Sequence, residues 1–458
     1  MARRCRGGRR KCVFMSASSA ISAGVSLTFA KILEQMLQVN FIRQNLELVK
    51  ERLSVKNFSD LTLVDKVVEL DEQVRKLKVE SETLQASMNA ASKEIGMLMG
   101  KGQKDLAETK KQEVAGHKSS LQNLAQQLAD AEKLFHDEIV KLPNLPHISV
   151  PKGKTPEDNE VVREAGTKPT LAATATPHWE LIKKYDLVDF ETGAKITGSG
   201  FPLYKGKGAK LQRALIQYFL DYNTAAGYTE YLPPLMVNEA TAYGTGQLPD
   251  KEGQMYHITA DGFYMIPTAE VPVTNIYRDE IVKETELPIK MTAYTPCFRR
   301  EAGSFGSDVR GLNRVHQFDK VEIIQLVQPE TSYAVHEEMV LHIEKLLQSL
   351  ELPYRILRLC GGDMSFTGAL TYDFEVYSAA QQKWLEVSSV TNFETFQANR
   401  MKIRYKDETN KTQLVHTLNG SSLALPRIMA ALLENNQTEN GIALPKVLHA
   451  YFGTATIH

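Results

Sequence analysis

Residues 298–322, FRREAGSFGSDVRGLNRVHQFDKVE, set arginines and carboxylates on both sides of a short Gly/Ser stretch. Guanidinium forks pair with phosphate oxygens, an aromatic ring or guanidinium plane stacks on a base, and a carboxylate accepts from amines and hydroxyls. The inventory therefore suits a small molecule carrying a phosphate, a flat ring and an amine or hydroxyl. Alternation over 292–301 and 312–326 predicts two antiparallel strands joined by a loop at 302–311. Side chains two apart share a strand face, which groups Arg299 with Glu301, and Arg314, His316, Phe318, Lys320 and Glu322 with one another. Taken alone, the same pattern also describes a salt-bridged surface hairpin, since mixed charge on one strand face is usually solvated.

A clamp of this kind needs a framework, and 458 residues with 43% hydrophobic content suffice for two or three ordinary cores. The formal net charge of -1 means that any nucleic acid must be held by local basic patches. Cys5, Cys12, Cys297 and Cys360 form neither metal-ligand pairs nor a disulfide framework, so no structural zinc is expected and a reducing cytoplasm is. The first 35 residues differ from the rest: six basic residues lead an uncharged run that extends to Ala30, with no acid before Glu34. This reads either as a targeting segment or as a stretch preceding a true start at Met36, an artefact of the assigned start or a disordered tail, and the second reading is favoured.

From Met36 onward, a short helical unit at 36–57 precedes a heptad pattern. Val67, Leu70, Val74, Leu77, Leu84, Met88, Ala91, Ile95 and Leu98 form one seam, interrupted at Ser81. After Gly100–Gly102 it resumes at Val114, His117, Leu121, Leu124, Leu128, Ala131 and Phe135, which predicts an antiparallel helical hairpin. Each arm would be on the order of 50 to 60 Å long and would project from a compact body. Such an arm serves as a dimerisation rod, a spacer or a reach toward a large ligand, and taken alone the rod reading is favoured. Prolines break periodicity through 142–177, a linker, and the remainder mixes helices with hairpin strands. The expected fold class is α+β: a helical arm followed by a helix-flanked antiparallel sheet. The division is 1–35 extension, 36–145 helical hairpin, 146–177 linker and 178–458 catalytic domain.

The catalytic part resembles class II aminoacyl-tRNA synthetases, and the chain from Met36 resembles the bacterial-type seryl-tRNA synthetase family. The resemblance rests on GYTEYLPPLMVN with Pro234 as motif 1, on CFRREAGSFGSDVRGLNRVHQF as motif 2, and on HTLNGSSLALPRI with Arg427 as motif 3. Thr268-Ala269-Glu270 matches the serine-specific TxE element, and the helical hairpin ahead of the core belongs to the same pattern. The chain departs from it at Ser422 and Pro426, where glycine is common, and at Asn399, where an arginine often precedes another. Proline is compatible with a first helical turn.

This resemblance implies that Arg299 contacts both the ATP α-phosphate and the serine carboxylate. Glu301 would hold the adenine side, Arg314 and Phe318 would brace adenine and a bent triphosphate, and Arg427 would pin ATP opposite. Arg300, Val387 and Ser388 complete the implied ATP set, while Glu386 and Ser389 would bind Mg2+ with phosphate. In an ideal strand those last two face opposite ways, so their joint role requires a strand end or a bulge. Thr268 and Glu270 would receive the serine ammonium, with Ala269 between them in the serine-binding set, and Glu322 with Ser421 the hydroxyl. Fixed guanidinium groups at the α-phosphate lower the barrier without a nucleophile or general base, leaving His316 a structural role.

The implied activity is ATP-dependent formation of seryl-adenylate and transfer of serine to the 3′-end of tRNA(Ser), and also of tRNA(Sec). The implied partners are L-serine, ATP, these tRNAs and a second copy in a homodimer, with neither DNA nor membrane. Two alternatives compete: a synthetase-like amino acid:carrier-protein ligase, whose relatives lack the arm, and a non-catalytic RNA-binding scaffold, which would have no need of a phosphate clamp.

Overall fold

The structure, a computed structural model, describes residues 38–250, 252–301 and 310–458. The N-terminal extension of 1–35 and most of the predicted 302–311 loop lie outside the described residues. Two short helices, α1 (Val39–Gln44) and α2 (Leu46–Val55), lead into α3 (Thr62–Gly100) and α4 (Lys104–Ile139). Of these, α3 and α4 form the hairpin, turning at Gly102 with φ 75°. Along α3 the seam residues Val67, Leu70, Val74 and Ala91 are buried, and Leu77, Leu84, Met88, Ile95 and Leu98 are less exposed than their neighbours. Cross-arm pairs Lys78–Glu132 at 2.7 Å and Lys110–Glu94 at 3.3 Å set the register. Being exposed, they contribute little stability beside the apolar seam.

The core sheet has eight strands: β1 (Glu160–Ala165), β2 (Thr229–Tyr231), β3 (Ile289–Phe298), β4 (Gln317–Val327), β5 (Tyr354–Arg358), β6 (Leu370–Ser378), β7 (Lys383–Asn392) and β8 (His416–Ala424). Their spatial order is β1-β5-β6-β7-β8-β4-β3-β2, antiparallel except for the β2–β3 pair. The segment read as a linker, 146–177, is thus partly built into the sheet: β1 pairs with β5 along the edge. One sheet face is covered by α5 (Gly206–Ala225), α6 (Ser332–Ser349) and α7 (Leu425–Asn435), whose apolar residues join the sheet in a single buried cluster. In α7 every residue from Ile428 to Asn435 is buried, which fixes this helix rigidly behind the sheet.

The arm-bearing region is welded to this core at its root. Phe41, Ile42, Val49, Leu53, Leu142 and Leu145 pack with Phe396 and Phe366 of the catalytic part. Lys56 is half-buried, and its Nζ donates to the carbonyls of Asn144, Phe366 and Gly368 at 2.9 to 3.2 Å. Burial pushes this ammonium down to about 7. The three carbonyls share its charge where a neutral side chain would leave them unpaired.

Candidate active site

Strands β3 and β4 form the predicted hairpin, with Phe298 paired to Gln317 and Ala293 to Glu322. They stop short of the predicted ends, so Arg299, Glu301, Arg314 and His316 lie beyond regular strand structure. Glu301 has a φ of 50°, and the two-residue alternation expected there does not hold. The departure has a tertiary cause: the His316 N–H bonds to Gly200 O, and the Arg300 N–H to Gln254 O. Outside segments take the donors that strand pairing would have used. His316 stacks on Phe201 at 5.3 Å and bonds the Arg299 carbonyl through Nδ1, which accords with a structural role.

A cavity of about 630 Å³ opens over the sheet face opposite the helices. Into it converge Thr268, Glu270, Arg299, Glu301, Arg314, Phe318, Glu322, Glu386, Val387, Ser388, Ser389, Ser421 and Arg427. Two expected residues are not among its lining. Arg300 is exposed, and Ala269 is buried in an apolar cluster that includes Met291 and Ile324. Ala269 therefore spaces Thr268 and Glu270 rather than offering a group of its own.

At one end, Glu322 lies directly across the β4–β8 ladder from Ser421. Glu322 is 1% exposed, and its Oε2 accepts from Thr268 Oγ1 at 3.1 Å and Lys320 Nζ at 2.5 Å. Asn419, two residues before Ser421, donates to Glu270 Oε2 at 2.6 Å, and Gln397 donates to Glu270 Oε1 at 2.6 Å. Burial, reinforced by the charge of Glu322, pushes Glu270 up to about 7. Two carboxylates this close make a deficit of positive charge that an ammonium ligand would relieve. Asn419 was legible in principle, since it shares the β8 alternation with Ser421; Gln397, arriving from a distant helix, gave no local signal.

The other end is cationic. Arg299 lies over the Phe318 ring at 5.3 Å, Arg314 bonds Glu301 at 2.6 Å, and Arg427 donates to the carbonyls of Asn313 and Glu386 at 2.8 Å each. Pro426 sits in the first turn of α7, where its missing N–H costs no helical bond. Ser422, in place of the common glycine, is buried and donates to Asn223 at 3.1 Å.

The pairing of β6 with β7 shifts register between Phe374 and Glu375, which face Ser388 and Glu386 and leave Val387 as an extra residue. This bulge resets the alternation, and Glu386 and Ser389 both border the cavity. Behind them Asp373 pairs with Ser389 across the ladder, and its shielded Oδ1 has no partner among the described residues. Burial first, then the Glu386 charge, holds this carboxyl well above the usual range. Among the described residues no group of three His, Cys, Asp or Glu side chains is placed to hold a metal alone. The arrangement fits Mg2+, which typically takes one or two carboxylates and completes its shell with water and substrate phosphates.

Comparison with known proteins accounts for both halves of the molecule. Residues 36–146 match the seryl-tRNA synthetase N-terminal domain, and residues 256–436 match the tRNA synthetase class II core domain (G, H, P, S and T). The serine–tRNA ligase of Salinibacter ruber is 50% identical, over 92% of this chain and 99% of that protein. That of Methylacidiphilum infernorum is 47% identical, over 91% and 99% respectively. The crystal structure of the Pyrococcus horikoshii seryl-tRNA synthetase complexed with ATP superposes with a TM-score of 0.85 at 34% identity, covering 92% of this chain and 99% of that one. With its helical arm, its antiparallel core and these matches over most of its length, the chain belongs to the seryl-tRNA synthetase family and is a serine–tRNA ligase.

Proposed function

We propose that the cavity activates L-serine with ATP and that the chain then passes serine to the 3′-terminal ribose of tRNA(Ser) and of tRNA(Sec). The observation that carries the serine assignment is the buried, paired placement of Glu322 and Ser421 beside Thr268 and Glu270. In this reading Glu270 and Thr268 hold the ammonium, while Glu322 and Ser421 hold the hydroxyl. Alanine or glycine would leave those polar groups unpaired, a penalty on the order of 10⁴ in discrimination.

Arg299 would bring the serine carboxylate and the α-phosphate together. A carboxylate oxygen forms the new bond to phosphorus as the bond to the bridging oxygen breaks, and diphosphate leaves with that electron pair. Negative charge gathers on the α-phosphate, where the guanidinium groups of Arg299 and Arg427 oppose it without reorganising. Phe318, with Arg299 above it, offers a stacking plane for adenine, and Glu301 its polar edge. Glu386 and Ser389, backed by Asp373, would hold Mg2+, which neutralises phosphate charge when bound with ATP.

The arm would reach the long variable arm of the tRNA, a role that adenylate chemistry alone does not require and that a carrier-protein ligase would not need. A second copy would cover the motif 1 face, where Leu232 is 85% and Met236 51% exposed. No helix among the described residues is long and apolar enough to cross a membrane. The cytoplasmic placement rests instead on the cysteines, of which Cys297 and Cys360 are free and buried, as a reducing compartment keeps them. Exchange of pyrophosphate into ATP, measured with each amino acid in turn, tests the central claim; no serine-dependent exchange would overturn it. Charging of both tRNA transcripts tests the acceptor assignment.

A further inference from the structure

A closed ring of hydrogen bonds, buried on its His178 side and half-buried at Gln381, ties the return limb of the ATP clamp to helix α7. Glu434 Oε1 accepts from the His178 backbone N–H at 2.8 Å, from His178 Nδ1 at 2.6 Å and from Gln381 Nε2 at 2.8 Å. The opposite ring nitrogen, His178 Nε2, accepts the Leu312 N–H at 2.8 Å. That acceptor role fixes the tautomer, leaving the proton on Nδ1 facing the carboxylate. Gln381 closes the ring by accepting from Asn313 Nδ2 at 2.9 Å. Ser378 donates to the remaining oxygen, Glu434 Oε2. His178 and Glu434 are both fully buried.

The ring bears on the ATP site because its members adjoin both cationic groups. Arg427 and Glu434 lie seven residues apart on α7, two turns along one face. At the N-terminal end Arg427 Nε bonds the Asn313 carbonyl; at the C-terminal end Glu434 reaches Leu312 through His178 and Asn313 through Gln381. One rigid helix thus grips 312–313 at two points, immediately before Arg314. Gly311 permits the approach, with a φ of 64° and no room for a side chain: a Cβ there would lie 2.3 Å from His178 Nε2.

We propose that His178, Glu434 and Gln381 are positioning residues that set the separation of Arg314 and Arg427, and so the enzyme's grip on ATP. None of the three touches the cavity. They act only through Leu312 and Asn313. This rests on the reading of Arg314 and Arg427 as ATP ligands and adds to it the device that holds them in register.

The test is direct calorimetric binding of ATP and, separately, of serine to the full chain, to His178→Asn and to Gln381→Ala. The first variant keeps a donor toward Glu434 and loses the acceptor for the Leu312 N–H; the second is only partly buried and opens the ring elsewhere. ATP should bind about tenfold more weakly to His178→Asn and about threefold more weakly to Gln381→Ala, with serine affinity unchanged within about twofold. Unchanged ATP affinity in Gln381→Ala and in any folded His178→Asn would overturn the proposal, as would parallel losses for ATP and serine, which mark general loosening. A wild-type chain that binds ATP but shows no serine-dependent exchange would sink the serine reading and leave this one standing.

Discussion

Lys320 Nζ lies 2.5 Å from Glu322 Oε2, two residues apart on β4, with both side chains bordering the cavity and less than 10% exposed. Two charges held this far from water pay a desolvation cost that their mutual attraction offsets only while both are present. Lys320→Met should therefore destabilise the protein by about 3 to 5 kcal/mol, because Glu322 would remain buried without its cation. Wild-type stability of the variant in urea titration would show that Glu322 does not depend on Lys320.

Glu322→Ala separates stability from specificity. It removes the acceptor assigned to the serine hydroxyl, so the preference for serine over alanine in ATP–pyrophosphate exchange should shrink on the order of a hundredfold. Retention of the wild-type preference would move the hydroxyl site elsewhere.

If Glu270 holds the serine ammonium as proposed, its carboxyl, pushed up to about 7, makes serine capture depend on pH. Below that value the free site is protonated and offers no charge to an ammonium, so binding must first expel a proton. The KM for serine should rise as pH falls through about 7, approaching tenfold per unit on the acid side, and Glu270→Gln should flatten the profile. An unchanged slope in that variant would assign the titration to another group.

How much of this was legible in advance differs by residue. Phe318, Lys320 and Glu322 share a face because a strand alternates, and the arm seam follows from heptad spacing alone. Arg299, Glu301 and Arg314 were legible as chemistry but not as geometry. The backbone around them is set by Gly200 and Gln254, 116 and 46 residues upstream of their partners His316 and Arg300, which no local pattern announces. The Val387 bulge was demanded by the joint placement of Glu386 and Ser389 but could not be located without the register of β6. His178, Glu434 and Gln397 gave no local signal at all, since their roles depend on partners 127 to 256 residues away.

Arg299→Ala tests the electrostatic core of the mechanism. A fixed guanidinium aimed at the reacting phosphate contributes most where charge develops, so the exchange rate should fall on the order of 10² to 10³. A loss confined to KM would instead mark Arg299 as a ground-state anchor.

Glu394 gives a stability prediction independent of the reaction. It is fully buried, accepts from Tyr333, and has an unpartnered Oε2 among the described residues; burial pushes it up to about 8. A carboxyl whose folded-state pKa is raised keeps its proton in the folded state after the unfolded chain has released it. Stability must then fall as pH rises from the ordinary carboxylate range to about 8, with a slope of up to about 1.4 kcal/mol per unit from this group. Glu394→Gln should remove that part of the slope in unfolding midpoints measured from about pH 5 to about pH 8. Parallel curves for variant and wild type would contradict the assignment.

Removal of residues 67–135 separates the two halves of the activity. Lys66 and Glu138 form an ion pair at 2.9 Å, so a short Gly/Ser bridge can rejoin the helices where they already meet. The cut takes Val67, Val68 and Phe135 from the edge of the root cluster and leaves the rest of it in place. Leu142 and Leu145 stay packed against Phe396, Asn144 continues to donate to the carbonyls of Thr367 and Phe393, and Lys56 keeps its hold on Phe366 and Gly368. Because Phe366, Thr367 and Phe393 line the cavity, that root is part of the wall around the small substrates, whereas the hairpin beyond it is not. Serine-dependent ATP–pyrophosphate exchange should therefore survive at close to the wild-type rate while charging of tRNA(Ser) is lost. Undiminished charging would take the arm out of tRNA recognition, and lost exchange would mean that the seam beyond Lys66 also supports the cavity wall.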